Sequence, residues 1–437
     1  MAKAINETTI QNPNTKEPAS CRAGNAFAEL RQISLSRKNR LSHSNIPLRV
    51  IGHTRLAKTL SGMVFVAVLL STFVAWHMAF SQQPHARSYP APDFTVVVLP
   101  DTQYYTDEIR GATMRMFTAQ TQWVADNKTR ENIRAVIGLG DIVDNGDASA
   151  EWQKADSAYR ILDRAAVPYA PVLGNHDYDT NLNAGNRAAR NYNTYFGPSR
   201  FLGYSWYGGG YPAGSNENFY ITFTAGTRSY LVIALEYYPR TNAVQWAQRV
   251  VDGNPDKEVI ITTHSYLDDD GRRIVKGGRH GPQSDGLASD NDNDAEELWA
   301  KFVKKNKNII LVVSGHVCQG ISIMARRSDE GDNGNLVHQL LADYQWLPNG
   351  GNGYMRIMKF RPSKRIIEVR TYSPYLKAFM RDASNQFTLK YVGQNLHQLP
   401  AGRVPTHPQG APAAHHLLAR QLGPGTARAV AELGPAA

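Results

Sequence analysis

Five short clusters of acceptor and imidazole side chains follow five apolar runs in this chain. FTVVVLP precedes Asp101-Thr-Gln103, and AVIGL precedes Gly140-Asp141-Ile-Val-Asp144-Asn145. YAPVL precedes Gly174-Asn175-His176-Asp177, VIITT precedes His264, and IILVVS precedes Gly315-His316-Val-Cys318. Carboxylate, amide and imidazole donors suit ions such as Mn, Fe and Zn. A shared carboxylate can hold two such ions close together, a spacing that polarises a phosphoryl group and activates a water for in-line attack. Singly, each cluster has an ordinary explanation. Asp101 could cap a helix, Gly140-Asp141 could be a turn, and a lone His after a strand is usually an interior His with a satisfied partner. Their common placement is what points to chemistry.

That placement needs strands. Phe94–Leu99 is a continuous apolar run suited to a strand buried on both faces, and the runs at 135–139, 169–173, 230–235, 259–263 and 309–313 read the same way. Met114–Asn127 carries Met116, Ala119, Trp123 and Val124 at helical spacing, and helices are also expected at 151–165 and 295–305. Strands separated by helices predict crossover units and a largely parallel sheet, whose carboxyl ends line a ligand crevice. From residue 335 onward the short segments 336–342, 354–360, 365–371 and 387–391 read as antiparallel strands of a second sheet. Two polar stretches, 180–218 and 266–294, read as long loops. The Asp290-Asn-Asp-Asn-Asp294 run lacks the Gly and closing Glu of a calcium loop and reads as solvated acidic loop.

Composition narrows the class. The 437 residues are 42% hydrophobic and 20% charged, a globular balance. The net charge is +10, but residues 1–80 hold ten Lys/Arg against three Asp/Glu and the tail from 401 adds about +2. A near-neutral centre gives no basic groove, so nucleic acid is not an expected partner. Cys21 and Cys318 are the two cysteines, too few for a disulfide framework or a zinc finger. Residues 1–59 read as a disordered basic tail and 400–437 as a low-complexity tail. The uncharged stretch 60–80 is long enough to span a bilayer, and the basic residues before it direct the chain beyond it outward. It is expected to be either a membrane anchor or a signal cut near Ser81, leaving the domain at 93–395 outside the cytoplasm.

The order of the five clusters resembles the calcineurin-like metallophosphoesterase superfamily, whose pattern runs D-x-H/Q, G-D, G-N-H-D/E, H and G-H-x-H. The segments LPDTQYY, TQWVADN, LADYQ and TYSPY look like a bacterial exported branch. The resemblance implies an α/β fold of two mixed β-sheets packed as a sandwich flanked by helices, and hydrolysis of phosphomonoesters or phosphodiesters of small molecules with two divalent metal ions. It implies Asp101 and Gln103 at a first metal, Asp141 as the bridge, and Asn175, His264 and His316 at a second. His176, oriented by Asp177, would stabilise the transition state or protonate the leaving oxygen. The last family ligand is Cys318 here, either a thiolate ligand or a small core residue. Loss of the first metal there would leave a catalytically impaired metal- or ligand-binding member of the same fold. Asp144 stands where purple acid phosphatases have Tyr, and Asn145 where protein phosphatases have Arg. The phosphate clamp is therefore open, with Asn145, Arg187, Arg272 and Arg279 as candidates.

Overall fold

Alternation along each strand decides the layers. In β1 (Phe94–Leu99) every residue is buried: Phe94, Val96 and Val98 face one apolar cluster, and Val97 and Leu99 face another. A strand with two apolar faces has to lie between two layers. The computed structural model describes residues 92–181, 185–287, 289–317 and 324–393. Cys318, the segment 60–80 and both tails lie outside the described residues. Among the described residues no helix is long and apolar enough to cross a membrane.

One sheet holds β1, β2 (Ile133–Gly138), β3 (Tyr169–Ala170), β11 (Met355–Arg361), β12 (Ile366–Ser373), β13 (Ala378–Met380) and β14 (Gln386–Lys390). Its order is β13-β12-β11-β1-β2-β3, with β14 also on β12. The other runs β4-β5-β6-β7-β8-β10-β9. These are β4 (Tyr207–Tyr211), β5 (Asn218–Ala225), β6 (Arg228–Leu235), β7 (Glu258–Thr263), β8 (Ile309–Ser314), β9 (Arg326–Glu330) and β10 (Leu336–Leu341). β1, β2 and β3 are mutually parallel, as are β6, β7, β8 and β10; the remaining pairings are antiparallel.

The inner faces share one core. Phe94, Val96 and Val98 of the first sheet pack in the same cluster as Phe219, Ile221, Tyr230, Val232 and Val313 of the second. The outer faces take helices α1 (Met114–Asn127), α2 (Ser149–Arg164), α3 (Thr241–Asp252) and α4 (Ala295–Lys301). In α2 the buried residues Trp152, Ala155, Tyr159 and Leu162 recur every three or four positions, one stripe toward the sheet. Burial of a side chain the size of Leu162 is worth roughly 1.5–3 kcal/mol.

Two mixed sheets between helices is the expected class, but the distribution of strands differs from expectation. The strands beyond residue 335 do not form a sheet of their own. β11 to β14 extend the first sheet antiparallel to β1, while β10 joins the second sheet parallel to β8. Alternation along a strand marks its faces and is silent on its neighbour or direction, which is why the sequence misplaced them. The helix expected over 295–305 ends at Lys301 and continues as a 3-10 turn over Val303–Lys305. Helix α3 was not expected, although Ala243, Val244, Ala247 and Val251 mark its buried face.

The long polar stretches also hold structure. The first contains a helix at Arg190–Phe196 and strand β4. In the second, the acidic run is exposed at Asp290 and Asn291 but buried from Asp292 to Asp294. Asp292 pairs with Arg187 at 3.0 Å, Asn293 is buried, and Asp294 caps α4 by accepting from Glu297 N at 2.7 Å.

Candidate metal centre

The carboxyl ends of the parallel strands meet at one edge. Asp141, His264 and His316, from the loops after β2, β7 and β8, bring one ligand atom each to within 4.8 Å of one another. His264 is completely buried, and its Nδ1 lies 2.7 Å from the Leu139 carbonyl. A carbonyl only accepts, so that nitrogen carries the proton and Nε2 faces inward. Nε2 sits 3.2 Å from Asp141 Oδ2 and 3.1 Å from Asn175 Oδ1. Three lone-pair atoms converge there with at most one proton among them. A bound cation satisfies such a set better than a proton does.

Close approach explains the glycines of these motifs. A Cβ on Gly174 would lie 2.1 Å from Asp141 Oδ1, and one on Gly315 would lie 2.1 Å from Asp101 Oδ1. Asp141 and His316 also hold left-handed backbone, at φ 44 and φ 72. Such conformations are uncommon outside glycine and gather at functional sites.

The other half of the centre is drier and more acidic. Asp101 and Gln103 are each 2% exposed. Asp101 Oδ2 accepts from His316 N at 3.0 Å, while Asp101 Oδ1 has no hydrogen-bond partner among the described residues. The Gln103 Nε2 donates to Asp144 Oδ1 at 2.7 Å, which leaves Oε1 buried without a donor among the described residues. Orphaned buried acceptors are costly, and a cation is what this donor set fits.

Titration follows the same division. Burial, with Asp343 and Asp141 beside it, pushes Asp101 well above the usual carboxylate range. Burial acts to raise Asp141 too, but His264, His176 and His316 outweigh it and hold that carboxyl low. Burial acts to lower His264, yet Asp141 raises it overall. Burial and the neighbouring His264 keep His316 well below the ordinary imidazole range, in the neutral form a metal takes.

His176 and Asp177 divide their work differently from expectation. Asp177 is wholly buried, and its carboxylate accepts from Ile142 N at 2.8 Å, Val143 N at 3.1 Å and Gly174 N at 2.8 Å. It therefore ties the loop after β2 to the loop after β3. The His176 ring is oriented instead by the Asp144 carbonyl, 2.7 Å from Nδ1. Glu151, in the first turn of α2, accepts from Asp144 N and Asn145 N at 2.8 and 3.0 Å and fixes the same loop.

Two strand ends were missed. Tyr237, after β6, gives its hydroxyl proton to Asp285 and lies 3.1 Å from His316 Nε2. With its one proton spent, the tyrosine oxygen accepts, so His316 Nε2 carries the hydrogen and Nδ1 is the lone-pair nitrogen. Asp343, after β10, is wholly buried and in hydrogen-bonding contact with the Asp101 carboxyl. The run Leu-Ala-Asp343-Tyr-Gln345 has the same form as the five recognised clusters. An antiparallel reading of its strand points it away from them.

The clamp candidates resolve in part. Arg187 binds the Tyr237 and Tyr238 carbonyls at 2.6 and 3.0 Å and pairs with Asp292, so it braces the loop after β6. The Asn145 amide is held by Glu151 at 2.8 Å. Arg272 is exposed beside Asp270, and Arg279 lies 4.0 Å from Asp269.

A family model described as calcineurin-like phosphoesterase matches residues 94–320. An uncharacterised Bacillus subtilis protein, YvnB, is 32% identical over 291 residues; the match takes in 66% of this chain and 20% of that one. This chain therefore spans about a fifth of that relative's length. Among solved structures, a dimetal phosphatase from Danio rerio aligns at 13% identity over 68% of this chain and 99% of that one, with a TM-score of 0.41. A purple acid phosphatase from yellow lupin aligns at 14% identity over 74% and 58%, with a TM-score of 0.42.

Proposed function

Because the chain belongs to the calcineurin-like phosphoesterase family, we propose that this domain hydrolyses phosphoester bonds, mono- or diester, in a small-molecule substrate with the help of two divalent ions. The observation that carries the reading is the cluster of acceptors where the carboxyl ends of the parallel strands of both sheets meet, Asp141 with His264 and His316 on one side and, on the other, Asp101 and Gln103, each with a buried oxygen that has no donor among the described residues. Asp141 would be shared, Asn175, His264 and His316 would complete one position, and Asp101 and Gln103 would begin the other. Ions of the Mn, Fe or Zn type bound there supply Lewis acidity toward phosphoryl oxygens and lower the pKa of a water.

The chain's own residues do the positioning. The Leu139 carbonyl fixes the His264 tautomer, and Asp177 locks two ligand-bearing loops together. His176 is tied at Nδ1 and keeps its side chain 32% exposed. Its Nε2 is free to hydrogen-bond a phosphoryl oxygen or to protonate the leaving oxygen, a contribution of about 10²–10⁴-fold. The uncharged segment 60–80 and its basic leader support an extracytoplasmic placement, anchored in a membrane or released by cleavage.

The full chain, loaded in turn with Mn, Fe(II) or Zn, is to be assayed on a panel of aryl phosphate mono- and diesters. Turnover that disappears with a chelator and returns with metal is expected. Cys318, standing where the family pattern has His, favours a second reading as an impaired metal-binding member. Two bound ions with no turnover of any ester would sink the hydrolase, and turnover gained only in Cys318→His would establish the impaired member.

A further inference from the structure

Strand register places one more carboxylate beside the ligands. β10 pairs parallel with β8, with Leu341 opposite Ser314, and Ala342 N continues the ladder to Ser314 O at 2.9 Å. Two residues past that pair stand His316 on one strand and Asp343 on the other. In a parallel pair, equal offsets from a registered pair reach the same edge. Asp343 therefore arrives beside His316 by register, from a segment that none of the five motifs includes.

Its surroundings are those of a ligand rather than of an ion pair. Asp343 is wholly buried, and its carboxylate is held in place by Gln345, whose backbone N donates at 3.0 Å and whose Nε2 donates at 3.2 Å. The Asp343 and Asp101 carboxyl groups are in hydrogen-bonding contact, and Asp141 and His264 lie within electrostatic reach. Among the described residues, no Lys or Arg pairs with Asp101, Asp141 or Asp343. Asp101 Oδ1 and Gln103 Oε1, both nearly inaccessible, have no donor among the described residues. Three buried carboxyl groups and two orphaned acceptor oxygens gather there with no paired Lys or Arg among the described residues, and imidazoles are left to balance them. Burial of so many acceptors is tolerable only around a cation.

We propose that Asp343 is a ligand of the first metal position, completing the set begun by Asp101, Gln103 and the shared Asp141. The carboxylate is delivered by β10 rather than by the residues that follow His316, and Cys318 is not needed for ion binding. The Gln345 contacts hold the carboxylate in place ahead of the ion, which lowers the ordering cost of binding. The inference rests on the dinuclear reading given above, yet its test reads ions rather than turnover.

The full chain and three variants, Asp343→Ala, Asp343→Asn and Cys318→Ala, are to be loaded with Mn(II) alone. Metal content after dialysis, calorimetric affinity and the Mn(II) paramagnetic resonance spectrum are then compared. The parent and Cys318→Ala are expected to hold about two ions per chain with a spin-coupled signal. Asp343→Ala is expected to hold about one, with the spectrum of an isolated ion and the remaining affinity unchanged. Asp343→Asn, which matches the native shape and guards against a folding failure, should weaken the first ion on the order of 10²-fold at unchanged near-ultraviolet circular dichroism. The opposite pattern, ion loss in Cys318→Ala and none in either Asp343 variant, overturns the assignment. A parent that binds two ions and cleaves no ester ends the hydrolase reading and leaves this one standing.

Discussion

Two buried polar clusters, one at the amino ends of parallel strands and one at carboxyl ends, balance charge in opposite ways. At the amino ends of β6 and β7, Arg228 pairs with Glu258, and Tyr391 donates to the other carboxylate oxygen while contacting Tyr230 at 2.8 Å. All four are buried, and the chain supplies both signs of charge. At the carboxyl ends, Asp101, Asp141 and Asp343 are as deeply buried, and the positive side is left to imidazoles. A buried carboxylate that brings its own arginine is part of the architecture. One with no such partner among the described residues is waiting for a ligand.

Substitution at the acidic end should separate function from folding most sharply. Asp101→Asn removes a charge that burial, Asp343 and Asp141 already disfavour, and it keeps the acceptor that receives His316 N. The metal-free variant should be at least as stable as the parent in denaturant titration, because like-charge repulsion is relieved. Turnover should fall on the order of 10³-fold, since several kcal/mol of transition-state stabilisation leave with the ion. A metal-free variant clearly less stable than the parent would show that Asp101 is structural and that the contrast between the ends is false.

The opposite end should respond with the opposite signs. Arg228→Met strands Glu258 in the interior and should cost about 3–5 kcal/mol of folding stability. Metal content per folded chain should stay at the parent value. The double variant Arg228→Met/Glu258→Gln should recover much of the loss, because no uncompensated charge remains. Unfolding curves for the three proteins, with metal analysis of each, decide the point; no recovery in the double variant would mean that the cluster works by packing rather than by charge.

The same contrast explains what the sequence made legible. Contiguous motifs announce themselves: Gly140-Asp141, Gly174-Asn175-His176 and Gly315-His316 each join a ligand to a glycine whose missing Cβ makes room for a residue of another cluster, His264, Asp141 and Asp101 in turn. Asp343 and Tyr237 lack that local mark. They belong to the edge only through strand neighbours, β10 beside β8 and β6 beside β7, and neighbour choice is a tertiary property. Segment 94–99 showed its strand, and segment 114–127 its helix, because apolar spacing is local. The role of Asp177 was misassigned for the same reason that Asp343 was missed. Its partners, Ile142 N and Val143 N, lie on another strand's loop.

The smallest effect is expected where a carboxylate meets its cations at the surface, which sets the lower limit of the comparison. Glu297 closes the capping box of α4 by accepting from Asp294 N at 3.1 Å, and Lys276 and Lys301 approach it at 2.8 and 2.9 Å. Burial is the largest single influence and raises its pKa, but the two lysines and the Asp294 N–H together outweigh it and bring it down to about 2. A carboxyl depressed in the folded state stabilises above its unfolded pKa and loses that contribution as pH falls toward the folded value. Glu297→Gln can still accept from Asp294 N, so the cap survives and only the lysine pairs are lost. Solvent screens those pairs, and the cost at neutral pH should be below about 1 kcal/mol. The gap between parent and variant in denaturant midpoint should shrink between pH 7 and pH 3.5, and again in 1 M salt. A gap insensitive to both would place the contribution of Glu297 in the cap rather than in its charge, and would leave Arg228–Glu258 as the cluster where charge pairing by the chain governs folding.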